Sequence, residues 1–238
     1  MKKVKVFFIL GTRPEAIKLA PLVRAFLQRE EFVVQLVNTG QHREMSAAFL
    51  RIFDLTPHYD LQVMAEKQSL SYLTSRIVEK LERIFLQERP DFVFVQGDTT
   101  TALCGALSAF YFQVPLGHVE AGLRTGEKWR PFPEEMNRVL ISRLADFHFA
   151  PTFLAKANLL QEGVAESRIL LAGNTIVDAL FLILGKDLPI SHPVLKRELE
   201  QNDSPFLVTV TAHRRENWGE GIRNIVSAVR TIVEMNEG

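Results

Sequence analysis

The sequence predicts an α/β protein built on a doubly wound parallel sheet. Short runs that are almost continuously apolar recur along the chain, as strands covered on both faces require. Longer segments with helical periodicity lie between them. Polar and charged residues gather just after the strands, where open α/β sheets bind ligands.

The first run, "VKVFFIL", follows a basic start that superficially resembles a leader peptide. No small-residue cleavage site follows and "GTRPE" comes at once, so residues 4–10 read as a strand. After it, Gly11 permits a tight turn and Pro14 suits a first helical turn. Arg13 and Lys18 add positive charge where backbone N–H groups face outward, giving either an anion site or an ordinary turn with two solvated cations. No G-x-G-x-x-G fingerprint is present. Pro21 is expected to kink or end this helix.

"FVVQLV" is the next strand. Ser69 then reads as an N-cap for a helix with an apolar stripe of Leu70, Leu73, Ile77, Leu81 and Ile84. The strand "DFVFVQ" leads into "GDTTTA", where Asp98 or a neighbouring Thr caps the following helix. The functional alternative for Asp98 is a carboxylate at a helix N-terminus, placed for proton transfer or for sugar hydroxyls. Cys104 falls inside that helix and reads as a small buried hydrophobe; one cysteine forms no internal disulfide.

"VPLGHV" is a strand whose exit carries "EAGLRTGEKWRPFPEEMNR". Such crowding makes this either a solvated loop or one wall of a site that handles charge. Glu120 stands at the strand end and Glu134 at a helix start. Arg138, four residues after Glu134, shares its helix face, and the bland reading is a surface ion pair. His118 reads as a core histidine, and Glu127, Lys128 and Arg130 as a solvated connector. "DFHFA", "RILLA" and the helix "TIVDALFLIL" complete the pattern.

The expected domains are residues 1–185, a linker over 186–204 with a short helix inside it, and one strand–helix unit over 205–238. "FLVTVT" is the expected last strand, followed by "AHRREN", again a charged exit. The final helix stripe, Ile222, Ile225, Val229 and Ile232, offers roughly 1.5–3 kcal/mol of burial per residue if a surface covers it.

Composition bounds the alternatives. With 47% hydrophobic and 24% charged residues in 238, the chain is ordinary globular material. The 28 basic and 28 acidic side chains lack the surplus a nucleic-acid partner would favour. No run is long enough to span a bilayer, so no membrane association and a cytoplasmic location are expected. No spacing suits a metal cage, and no cofactor or metal is expected.

Taken together, "GTRPEAIKLAP", "TGQHREM", "GDTTT", "GHVEAGLRT", "PEEMNR", "GNTIVDAL" and "TAHRREN" closely resemble the non-hydrolysing UDP-N-acetylglucosamine 2-epimerases. The resemblance runs in order from the first strand to the last residue. It implies a Rossmann-like first domain of a glycosyltransferase-B-type two-domain fold, with the substrate between the domains. It also implies interconversion of UDP-N-acetylglucosamine and UDP-N-acetylmannosamine by UDP elimination and re-addition, in a homodimer serving polysaccharide biosynthesis.

Carried over by position, Asp98, Glu120, Glu134 and His213 match the family's catalytic group, and Arg13, Lys18 and Arg138 match substrate-binding or supporting residues. Some bacterial members bind a second UDP-N-acetylglucosamine as an activator. Gln41, His42, Glu44, Arg76, Arg214 and Glu216, with His213, fall in the matching motifs. Members also continue well beyond residue 238, through a loop that grips UDP. The expectation is therefore a C-terminally truncated chain with little or no activity alone. A nucleotide-sugar glycosyltransferase would need an acceptor; a non-catalytic domain would bind ligand or self-associate without turnover.

Overall fold

The computed structural model describes residues 2–41, 43–65, 68–186, 188–201, 208–212 and 218–236. Its contacts divide the chain into two compact units, Met1–Asp187 and Leu188–Gly238.

The first unit holds seven strands: β1 (Val4–Leu10), β2 (Phe32–Asn38), β3 (Tyr59–Asp60), β4 (Phe92–Gln96), β5 (Leu116–Val119), β6 (Phe147–Ala150) and β7 (Ile169–Leu171). All pair in parallel, in the order β3-β2-β1-β4-β5-β6-β7. The helices are α1 (Arg13–Leu27), α2 (Arg43–Ile52), α3 (Leu70–Gln87), α4 (Thr100–Tyr111), α5 (Glu134–Leu144), α6 (Phe153–Gln161) and α7 (Thr175–Leu184). This is the doubly wound parallel sheet that the alternation predicts, with the Rossmann-like architecture that the resemblance implies. The winding direction reverses between β1 and β4, so the crevice for a ligand opens at their carboxyl ends.

The alternation within β1 shows why both faces are filled. Phe7 and Ile9 join one core with Ile77, Leu81 and Phe85 of α3 and with Ala102 and Ala106 of α4. Val6, Phe8 and Leu10 join the other with Ala16, Leu19 and Val23 of α1 and Ala179 of α7. Each of those large side chains gains roughly 1.5–3 kcal/mol from burial. Cys104 lies in the first core, as its surroundings in sequence suggest, and burial pushes its thiol up to about 12.

Several local expectations meet their physical reasons here. Ser69 caps α3, its hydroxyl accepting from Tyr72 N at 3.2 Å. Leu73, Ile77, Leu81 and Ile84 of the stripe are buried, but Leu70 is 42% exposed because it lines a cleft rather than the core. Thr99, not Asp98, caps α4, accepting from Ala102 N at 3.0 Å. Pro21 neither ends α1 nor divides it. It forfeits one N–H bond, and the buried row Ala16, Leu19, Ala20 and Val23 keeps the helix continuous against the sheet.

In the second unit the expected linker contains a helix, α8 (Pro193–Gln201), and α9 runs from Glu220 to Glu234. The expected strand over 206–211 is corrected. Val208–Thr211 carry no strand, while 206 and 207 lie outside the described residues. A parallel strand exists only through a neighbour's ladder, and none is present beside this segment among the described residues. No residue of α9 is buried; Ile222 is 36% and Ile232 50% exposed.

Candidate functional site

At the β1/β4 switch point lies a cleft of about 490 Å³, within the size range of small-molecule sites. Three strand exits build it. The β1 exit supplies Thr12 and Lys18, the β4 exit Gly97 to Thr100, and the β5 exit Glu120, while Glu134 comes from the first turn of α5. Asp98, Glu120 and Glu134 therefore line one cavity although 36 residues separate the first from the last (134 minus 98).

Glu120 is the most tightly held. Its backbone has φ 65°, a left-handed conformation uncommon for a non-glycine residue and costing on the order of 1 kcal/mol or more. Lys18 Nζ donates to both of its oxygens, at 2.6 and 2.7 Å. Gln96 Nε2 donates to Oε2, and Asn174 Nδ2 donates to Oε1 at 3.1 Å. Asn174 also caps α7 through Oδ1, so one side chain orients the carboxylate and starts a helix.

Asp98 has a different partner. The guanidinium of Arg138 donates to its carboxylate, and Asn137 Nδ2 donates to its backbone carbonyl at 2.8 Å. Arg138 also sits 3.4 Å from Glu135, which is buried and accepts from Thr125 N and Gly126 N. The reading of Glu134 with Arg138 as a surface pair is thus corrected. Both side chains start on neighbouring turns of α5, but Arg138 is 12% exposed and turns inward to Asp98 and Glu135. Glu134 makes no hydrogen bond or ion pair among the described residues.

Beneath the cleft, Glu15 is fully buried. Oε2 accepts from Gly11 N at 2.9 Å, Thr12 N at 2.8 Å and Thr12 Oγ1 at 2.8 Å, and Oε1 accepts from Thr99 Oγ1 at 2.6 Å. Burial raises its pKa from 4.5 to about 7, outweighing the four donors that pull the other way. His118 is buried in β5 with Nε2 2.7 Å from the Gly97 carbonyl and Nδ1 without a partner among the described residues. Burial pushes it down to about 3, so it is a neutral core histidine that donates to Gly97.

The other sequence candidates fall outside this cluster or beyond it. Arg13 is exposed, its guanidinium 6.0 Å over the Phe49 ring, and does not line the cleft. Gln41 does line it, with Oε1 accepting from Thr101 N and Oγ1 at 3.2 and 2.8 Å. Arg76 pairs with Glu79 at 2.6 Å on α3 and does not line the cleft. His42, the side chain of Glu44, and His213, Arg214 and Glu216 lie outside the described residues. Glu127, Lys128 and Arg130 are exposed, as a solvated connector should be. Glu15, Gln96, Asn137 and Asn174 are the residues sequence reasoning missed. Glu15 alone had a legible signal, since Thr12-x-x-Glu15 is a capping-box spacing.

Chemically, the arrangement offers two cation-held carboxylates and one without such a partner around a sugar-sized space. Proton transfer at a small polar substrate is what such a set can do. Among the described residues no group of three His, Cys, Asp or Glu side chains gathers as a metal site, and no helix is long and apolar enough to cross a membrane.

Comparison with known proteins gives the same direction. A family model described as UDP-N-acetylglucosamine 2-epimerase matches residues 24–237. A UDP-N-acetylglucosamine 2-epimerase of Bacillus subtilis is 47% identical over 98% of this chain and 60% of its own length. The Escherichia coli protein of that name is 45% identical over 98% of this chain and 63% of its own. A solved Neisseria meningitidis UDP-GlcNAc 2-epimerase, bound to UDP-GlcNAc, superposes with a TM-score of 0.84 at 40% identity, covering 98% of this chain and 63% of that one. The chain thus spans about 60% of the length of the curated relatives it matches.

Proposed function

Because this chain belongs to the UDP-N-acetylglucosamine 2-epimerase family, we propose that the whole protein interconverts UDP-N-acetylglucosamine and UDP-N-acetylmannosamine. The observation that supports this most is the convergence of Asp98, Glu120 and Glu134 on one cleft at the sheet's switch point. A base takes the proton from C2 of the sugar, the C1–oxygen bond to UDP breaks, and a C1–C2 double bond forms. The glycal then takes a proton at C2 on the opposite face, and the β-phosphate oxygen of UDP re-attacks C1. Inversion at C2 therefore needs acid/base groups on two sides of the ring, which a cleft with carboxylates from separate strand exits can supply.

In this proposal Asp98, Glu120 and Glu134 handle protons, contributing roughly 10²–10⁴-fold for each well-placed group. Lys18 and Arg138 pair with Glu120 and Asp98 and hold them in place. A catalytic role for His213 and a substrate contact for Arg13 rest on the resemblance of their motifs, as does activator binding through Gln41, His42, Glu44, Arg76, Arg214 and Glu216. Homodimerisation and a cytoplasmic setting in polysaccharide biosynthesis rest on the same ground; light scattering tests the first.

The deciding experiment is incubation of UDP-N-acetylglucosamine in D2O with protein spanning the relatives' full length. The expected result is both C2 epimers, each carrying deuterium at C2. Sugar transfer to an added acceptor without isomerisation would replace this reading with a glycosyltransferase. Binding with neither reaction would replace it with a non-catalytic domain.

A further inference from the structure

Glu15 belongs to the turn after β1, yet its carboxylate spans two strand exits. Oε2 gathers Gly11 N, Thr12 N and Thr12 Oγ1, all from its own turn. Oε1 reaches Thr99 Oγ1 at 2.6 Å, 84 residues away and next to Asp98. Thr99 is itself the cap of α4, with Ala102 N on its hydroxyl. A capping box would need only the first set. The bond to Thr99 ties the helix that carries Lys18 to the loop that carries Asp98.

We propose that Glu15 is a positioning residue of the cleft, a buried clamp joining the β1–α1 and β4–α4 turns so that the Lys18–Glu120 and Asp98–Arg138 pairs face each other. It touches no cleft space itself; Thr12 and Thr99, which it grips, both line the cavity. The purpose of the cleft rests on the epimerase reading, but the clamp is measurable without substrate.

The test uses NMR on this chain, with the Asn137 side-chain amide as reporter, because it bonds the Asp98 carbonyl from α5. Glu15→Ala is expected to shift that resonance and to speed exchange at the Ala102 amide by roughly tenfold, the loss of about one hydrogen bond. Glu15→Asp keeps a carboxyl group but is one methylene short of Thr99, so it is expected to do the same. Glu15→Gln spans the same atoms, presenting its oxygen to the turn and its amide to Thr99 Oγ1, and is expected to stay close to wild type. Should Glu15→Ala fail to fold, Glu15→Asp carries the decision. The clamp is overturned if the folded variants disturb only the Gly11 and Thr12 amides, leaving Asn137 and Ala102 as in wild type. Gln behaving like Ala also counts against it. An enzyme that fails to epimerise would sink the proposed function and leave this result standing.

Discussion

Lys18 and Glu120 lie 102 residues apart in sequence, yet the lysine ammonium sits 2.6 and 2.7 Å from the two carboxylate oxygens. The pair brings the first helix to the end of the fifth strand, and both side chains are mostly buried, at 22% and 11% exposure. Lys18→Met leaves Glu120, among the described residues, with the Gln96 and Asn174 amides. The expected loss is about 1–3 kcal/mol in urea unfolding, less than a fully buried pair because solvent still reaches the lysine. A cycle with Glu120→Gln should show coupling; additive single and double variants would argue against the pair.

Glu134 allows the proposed function to be tested apart from stability. It lines the cleft but makes no hydrogen bond or ion pair among the described residues. Glu134→Gln is therefore expected to lower epimerase turnover by roughly 10²–10⁴-fold while moving unfolding free energy by no more than about 0.5 kcal/mol. Arg138→Met is the contrast, because it leaves both Asp98 and Glu135 without their cation. It should reduce turnover and stability together.

Glu15 and His118 give the fold opposite pH slopes. Glu15 has a folded pKa raised to about 7, so between pH 4.5 and 7 the native state holds more protons than the unfolded. Its contribution is fully present below about 4.5 and lost as pH rises through 7, by about 3 kcal/mol. His118, lowered to about 3, holds fewer protons than the unfolded chain between pH 3 and 6.5. Its contribution is present above 6.5 and fades as pH falls. The stability of Glu15→Gln relative to wild type should climb as pH increases from 4.5 to 7. A difference that stays flat across that window would contradict the assignment.

Gly11 has no room for a side chain. A Cβ there would stand 1.9 Å from Thr39 Oγ1 and 2.6 Å from Thr101 Oγ1, two buried hydroxyls bonded to each other at 2.8 Å. Gly11→Ala should cost about 1–3 kcal/mol by overpacking and disturb Gln41, which bonds Thr101. Calorimetric melting checks it; an unchanged midpoint would mean that the hydroxyls yield freely.

Cys104 is completely buried with its thiol held up to about 12. An aromatic disulfide reagent at pH 8 should label it only as fast as the protein opens, and at once in denaturant. Rapid labelling of native protein would place this sulfur at the surface.

How legible was the site? The strand exits were, because β1, β4 and β5 are apolar runs ending abruptly in charge. The partners were not. The i,i+4 spacing pointed Arg138 at Glu134, whereas its side chain goes to Asp98 in the β4–α4 turn. Gln96 and Asn174 look like a polar strand end and a helix cap. Their second bonds, to Glu120, exist only because β4, β5 and the start of α7 meet. The same limit produced the strand expected near Val208, since a ladder needs a neighbour that no local pattern specifies.

By itself, the sequence determined the parallel α/β class, the succession of strands and helices, and the family. Apolar periodicity and local motifs are properties of neighbouring residues. The tertiary structure decided that three distant carboxylates share one cavity, that two are held by Lys18 and Arg138, and that Glu15 bridges two turns. Those facts depend on which strand lies beside which. The reversal at β1 places the β4 exit next to the β1 exit and the β5 exit beyond it, and that order lets side chains separated by 84 or 102 residues come within hydrogen-bonding distance.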